Sequence, residues 1–311
     1  MKKKIPTYSI VSVIFNDFRA LRNFYNSLTL FESDFELVLV YNPGDVQVLD
    51  YAFELSTCDS RIKLIENKLN IGLAAANQIG IDAAVGEYIY VVNPDVFWIM
   101  PVLESLRKRF DKADISFISP LNLDERGVSH CHWHSSWTLL HMIFYRTLPL
   151  RLIESVKSIL VDYDLERKVG YVSGSSIFSK ADVFKEIKYD PRMFLSVEDV
   201  ADLCDRANLK YAKPSLVFPE VCTVHIGGTS HDGNKWTAWV FAARGACVYL
   251  NKRGRFRMEA FYRIYMTLLV GLKQCILMRK VSVRYIKVMW RLTSRELSDV
   301  EVVKYLGSFK P

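Results

Sequence analysis

Apolar and polar positions follow two rhythms along the first hundred residues. Tyr8 to Phe15 is an unbroken β-branched and aromatic run, which predicts a strand apolar on both faces, ended by the polar turn Asn16-Asp17. From Arg19 to Leu30 the spacing of Leu21, Phe24, Tyr25 and Leu28 is helical. Phe35 to Tyr41 predicts a second buried strand, stopped by Asn42-Pro43-Gly44-Asp45, then a helix around Val46 to Leu55 and a strand at Ile62 to Glu66. Asn70-Ile-Gly72 opens the next helix, whose start is kept thin by Ala74 to Ala76 and which runs through Asn77 to Gly80. Tyr88 to Val92 predicts the central strand. It stops at Asn93-Pro94-Asp95, because proline cannot donate to a ladder. Alternating strand and helix predict a parallel, Rossmann-like α/β sheet, with ligands at its carboxyl edge.

Further along, Val96 to Met100 is expected to lead into a helix at Val102 to Phe110. A strand follows at Ile115 to Ser119, then a turn-rich hairpin at Leu121 to Gly127. His130, His132 and His134 fall on one face of a strand beside Cys131. Zinc would accept such ligands, but neighbours on one strand rarely close a tetrahedron; a polar stretch beside a ligand cleft and a plain exposed strand are the other readings. Trp137 to Leu160, broken by Pro149, reads as loop and helix lining one side of a cleft. Val169 to Ser179 contains Gly174, and Lys180 to Ile187 is a short helix. Acids then crowd the start of a helical pattern at Glu198, Asp199 and Asp202, where capping and the helix dipole already favour them. Lys213 to Thr223 predicts a strand leading to His225.

Composition narrows the class. Half of the 311 residues are hydrophobic, enough for one large domain or for one domain over residues 1–250 with an appendage, 251–311. Six scattered cysteines without a CxxC pair suit a reducing compartment. The basic start lacks an apolar h-region, so no signal peptide is expected. The net charge is +7, and from Lys252 to Arg295 basic residues interleave with aromatic and aliphatic ones while acids are nearly absent. That pattern predicts basic amphipathic helices, suited to an anionic membrane surface or to packing on the catalytic domain or another subunit. No nucleic-acid recognition motif accompanies it. Asn93 and Asp95, two apart around a rigid proline, offer oxygen ligands to Mg²⁺ or Mn²⁺ held against a diphosphate, or else form an Asx-type turn. The G-x-G-x-x-G fingerprint is missing after the first strand, which argues against an NAD-type dehydrogenase.

Taken in order, these segments resemble a known family. Asn70-x-Gly72, the small run to Asn77-x-x-Gly80, and the strand ending in Asn93-Pro94-Asp95 resemble the nucleotide-sugar half of family-2 glycosyltransferases with a GT-A fold. The rhamnosyltransferase-like branch, with Asn-Pro-Asp in place of Asp-x-Asp, is the nearest in pattern. The Gly174 segment is similar to the family strand that closes the donor site, and Asp190 to Ala207 to its acidic segment. His225, followed by glycines and serine, stands where a family histidine reaches the metal or diphosphate. The resemblance covers residues 8–232. It implies donor contacts from Asn16, Asn42, Asn70, Gly72, Asn77, Asn93 and Gly174. It also implies a Mg²⁺ or Mn²⁺ ion at Asp95 and His225, with Asp199 as catalytic base beside Glu198. Tyr41-Asn42 departs from the usual Asp-Asn, which leaves the nucleobase open, and Asp202 follows Asp199 by three positions instead of two.

The implied activity is inverting transfer of a sugar, such as rhamnose or another hexose, from a nucleoside-diphosphate sugar. The acceptor would be a hydroxyl of a cell-surface glycan or its lipid-linked precursor, and the enzyme cytoplasmic and peripheral on the inner face of the cell membrane. A homo-oligomer stays open. A nucleotidyltransferase would share the sheet, but would want a Gly- and Lys-rich loop that Phe15 to Arg22 lacks. A non-catalytic glycan-assembly scaffold would have lost the acids, and Asp95, Glu198 and Asp199 are all present.

Overall fold

Strand β1 (Tyr8–Ile14) is buried at every position because its two faces meet different layers. The computed structural model describes residues 5–129, 138–140, 142–143, 165–195, 198–227, 235–277, 290–291 and 301. The His130 to His134 stretch, most of Trp137 to Leu160, Ser196, His231 and most of the chain after residue 277 lie outside the described residues.

Helix α1 (Phe18–Phe31) starts at Asp17, whose carboxylate accepts from the Ala20 N–H at 2.8 Å. Asp45 caps α2 (Val46–Cys58) likewise through the Gln47 N–H at 2.9 Å; such caps contribute about 1 kcal/mol each. Alternate residues of β1, β2 (Phe35–Tyr41) and β4 (Tyr88–Val92) divide between two apolar clusters. Val11, Val38, Val40, Ile89 and Val91 join Ala74, Ala76 and Ile81 of α3 (Leu73–Ala83). Ile10, Leu37, Leu39 and Tyr90 join Leu21, Phe24 and Leu28 of α1. A strand covered on both sides must be apolar at consecutive positions, which is why these runs lack polar alternation.

With β3 (Ile62–Glu66) the order β3-β2-β1-β4 forms a parallel half-sheet. Beyond β4 the sheet is mixed, a feature that strand–helix alternation does not reveal. Among the described residues it continues through β8 (Ser176–Lys180), β6 (Phe117–Leu123), β9 (Ser215–His225) and β5 (Val96–Trp98), and β7 (Arg167–Val169) also pairs with β9. β8 is antiparallel to both β4 and β6, whereas β6 and β9 are parallel. Val96–Trp98, expected only as a lead into α4 (Leu103–Asp111), is therefore a strand, held antiparallel to β9. Leu121 to Leu123, expected in a hairpin, instead finish β6, and the turn begins at Asp124, whose carboxylate accepts from the Arg126 and Val128 N–H groups.

Four helices follow β8 among the described residues: α5 (Ala181–Ile187), α6 (Glu198–Tyr211), α7 (Lys235–Lys252) and α8 (Phe256–Leu277). α7 runs through the division expected after residue 250. Tyr262 and Met266 of α8 share a cluster with Val240, Phe241 and Leu250 of α7 and with Val200 and Leu203 of α6. No helix among the described residues is long and apolar enough to cross a membrane.

Candidate active site

The parallel strands β1, β2 and β4 end on one edge of the sheet, and the loops beyond them carry most of the expected donor contacts. Asn16, just past β1, is half-buried. Asn42, just past β2, is buried and uses both ends of its amide. Its Nδ2 donates to the Gly72 carbonyl at 3.1 Å and its Oδ1 accepts from Asn67 Nδ2 at 2.9 Å. Asn70 Oδ1 accepts from the Gly72 N–H at 3.0 Å. These two asparagines thus shape the loop before α3 with their side chains. Asn77 is buried on α3.

Gly72 caps α3 with φ +86°, and a Cβ there would lie 2.5 Å from the Phe194 ring. Only glycine satisfies both demands. The Phe194 carbonyl accepts from the Leu73 N–H at 2.6 Å, and its ring stacks on Phe241 of α7 with centroids 4.3 Å apart. Phe194 clamps the loop before α3 to the segment that leads into α6. Sequence reading overlooks it, because an aromatic residue before an acidic helix carries no signal of its own.

A second wall begins at β4. The Asn93 N–H donates to the Ser175 carbonyl at 2.9 Å, extending the β4–β8 ladder by one step. Beneath it lies a buried polar network: Asn122 of β6 donates to Ser175 Oγ at 2.9 Å and accepts from Ser176 Oγ at 3.0 Å and from Thr223 Oγ1 at 2.8 Å. Asn122 thereby joins β6, β8 and β9, with each hydroxyl partner supplied in place of water. A polar residue inside an otherwise apolar strand was the signal that could have found it. Gly174, exposed at the turn before β8, approaches α6 so closely that a Cβ would meet Val200 Cγ2 at 3.0 Å.

Asp95 and His225 come together through the pairing of β5 with β9. Val96 lies opposite His225, and the Ile226 N–H donates to the Asp95 carbonyl at 3.1 Å. The Asp95 carboxylate is buried, with His225 Nε2 3.3 Å from its Oδ1. The hard carboxylate oxygen suits Mg²⁺ or Mn²⁺, and the imidazole nitrogen beside it favours Mn²⁺ of the two. Among the described residues no three His, Cys, Asp or Glu side chains gather as an ion site.

Glu198 and Asp199 open α6, next to the Gly174–Val200 contact, and both are buried. Burial pushes the Asp199 carboxyl up to about 8, and the negative charges of Glu198 and Asp202 push in the same direction against a hydrogen bond from the Val200 N–H. A carboxylate raised this far has the basicity that proton abstraction near neutral pH requires. The Tyr189 hydroxyl is buried nearby and held protonated by desolvation and by the charge of Asp199.

Asp202, one turn on, belongs to a different arrangement. Its carboxylate accepts from Arg206 Nε at 2.7 Å, Lys252 Nζ at 2.7 Å and Arg253 at 3.4 Å. Lys252 also reaches Asp190 at 2.8 Å, and Arg253 and Tyr249 both donate to Asp205 at 2.5 Å. Asp202 thus faces the junction of α7 and α8, where three cations hold it.

A model of glycosyl transferase family 2 matches residues 9–176, more than half of the chain. The chain belongs to glycosyl transferase family 2. The match covers Asn16, Asn42, Asn70, Gly72, Asn77, Asn93, Asp95 and Gly174; Glu198, Asp199 and His225 lie beyond it. Among curated proteins, EpsH of Bacillus subtilis (strain 168), itself only provisionally assigned as a glycosyltransferase, is 31% identical over 113 residues, or 35% of this chain. That alignment spans 32% of EpsH, about a third of its length. Solved structures share the GT-A fold of this family-2 chain at low identity. GalNAc-T7 with UDP, GalNAc and Mn²⁺ superposes with a TM-score of 0.58 at 14% identity, covering 80% of this chain and 48% of that one. TarS 1–349 of S. aureus with UDP-GlcNAc gives 0.53 at 14%, covering 92% and 79%. The mannosyltransferase PcManGT of Pyrobaculum calidifontis with GDP-Man and Mn²⁺ gives 0.53 at 11%, covering 99% and 89%.

Proposed function

We propose that this family-2 protein is an inverting glycosyltransferase that moves a sugar from a nucleoside-diphosphate sugar to a hydroxyl of a glycan or its lipid-linked precursor. The observation that carries the reading is the joining of its two halves. The donor-side loop is clamped to Phe194, and the β4 edge is tied through Ser175 and Gly174 to Val200, next to the raised carboxyl of Asp199.

In this reading Asp199 takes the proton of the acceptor hydroxyl as its oxygen bonds to the anomeric carbon. The bond from that carbon to the diphosphate oxygen breaks, its electron pair leaves with the nucleoside diphosphate, and the in-line displacement inverts the centre. Such base assistance contributes about 10²–10⁴-fold. Asp95 and His225 would hold Mg²⁺ or Mn²⁺; when bound, the ion neutralises charge on the departing diphosphate. Glu198 orients its neighbours or the acceptor. Rhamnose or another hexose as the donor sugar rests on the Asn93-Pro94-Asp95 pattern.

Calorimetry with UDP, GDP and dTDP, in Mn²⁺ and then in EDTA, tests the donor site. At least one nucleotide is expected to bind, and to lose about tenfold or more in affinity with EDTA or in Asp95→Asn. Equal affinity with EDTA removes the ion from the reading, and no binding by any nucleotide removes the donor site itself.

A further inference from the structure

We propose that the outward face of α8 is a docking surface for an anionic lipid bilayer. Arg257, Phe261, Ile264 and Leu268 recur at spacings of four, three and four, which places them on one stripe of the helix. The three apolar members are 53%, 47% and 56% exposed, while Glu259, Tyr262, Met266 and Thr267 on the other side are buried. Phe256 and Met258, in the first turn, add further exposed apolar surface beside exposed Arg255 and Arg257. The helix thus buries one apolar face against α7 and presents a second to the outside.

Charge decides what covers that second face. Residues 252–311 carry 14 Lys and Arg against 4 Asp and Glu, whereas residues 1–251 carry 27 against 30, so the positive excess of the protein lies wholly in this last part. A second copy of the same stripe would bring like charges together. A polyanion such as RNA would meet the arginines but leave Phe261, Ile264 and Leu268 in water. An anionic bilayer satisfies both, with headgroups facing the arginines and the acyl boundary taking the apolar stripe. The helix does not hang free: Lys252 and Arg253, just before it, are bound to Asp190, Asp202 and Asp205, so docking would hold the catalytic helix α6 in a fixed relation to the surface.

The test is co-sedimentation of the full chain with vesicles of phosphatidylcholine, with and without phosphatidylserine. It needs no sugar donor, so it stands or falls apart from the enzymatic reading. Binding is expected only with phosphatidylserine, and should weaken about tenfold or more as salt rises from about 0.05 to about 0.5 M. Arg255→Glu/Arg257→Glu and, separately, Phe261→Ser/Ile264→Ser/Leu268→Ser should each lower partitioning about tenfold or more. All five positions are exposed, so the melting temperature should not change. Equal binding to both vesicles, no binding, or binding that survives the serine variant overturns the proposal. So does a concentration-dependent dimer that the serine variant abolishes, since the stripe would then belong to a second copy.

Discussion

Asp199 poses the sharpest question at the level of single residues. Its carboxyl has an ordinary value of 3.8 and sits near 8 in the fold, chiefly because burial disfavours the charge. If it is the base, kcat/KM should rise about tenfold per pH unit up to roughly pH 8 and then level. Asp199→Asn should cost about 10² or more in turnover while nucleotide affinity is kept. The same shift has a sign for stability. The folded state holds this proton more tightly, so the contribution of Asp199 is fully present below about pH 4 and is lost as pH rises through 8. Asparagine carries no such charge. The melting temperature of Asp199→Asn should therefore gain on the wild type between about pH 5 and about pH 9, and a constant difference across that range would count against a raised carboxyl.

Among the elements, the ionic junction between α6 and the α7–α8 turn is the one most open to perturbation. Asp202 is buried with three cationic partners, so Lys252→Met leaves it Arg206 and Arg253 and should cost about 1–3 kcal/mol. Asp202→Asn leaves the three cations facing a neutral amide and should cost more, roughly 3–5 kcal/mol. Urea midpoints with unchanged m-values would measure both. How far such elements can be read beforehand depends on where their reasons lie. Phe35–Tyr41, Ile62–Glu66 and Tyr88–Val92 are strands as expected, since each is an apolar run closed by turn residues within its own segment. Val96–Trp98 is a strand only because β9 arrives beside it from far along the chain, and nothing local announces that. The site divides in the same way. Asn93, Asp95 and Glu198-Asp199 stand out as polar residues at element ends. Asn122, Phe194 and Lys252 act through partners that sequence spacing does not reveal.

For the whole molecule, the helical C-terminal region is joined to the rest by more than its basic character suggests. Ending the chain near Asn251 would remove Tyr262 and Met266 from the core, each worth about 1.5–3 kcal/mol, and take Lys252 and Arg253 from the buried carboxylate of Asp202. Together these losses approach the whole stability of an ordinary domain, about 5–15 kcal/mol. The truncated protein should therefore melt well below the full chain or fail to fold, as circular dichroism would report; a cooperative melt near the full-length temperature would mean that α8 is an independent appendage. The antiparallel placement of β8 carries a consequence for synthesis on the ribosome. The strands β3-β2-β1-β4 are all made by Val92, but the free side of β4 waits for Ser176–Lys180. Until then a central, apolar strand offers its unpaired backbone to any passing chain, the condition under which nascent proteins aggregate. When β8 arrives it brings Gly174 and, soon after, α6, so the step that protects the half-made sheet also delivers the carboxylates of the site. A nascent chain stalled between Val92 and Ser176 would hold the loops past β1, β2 and β4 without Glu198 and Asp199.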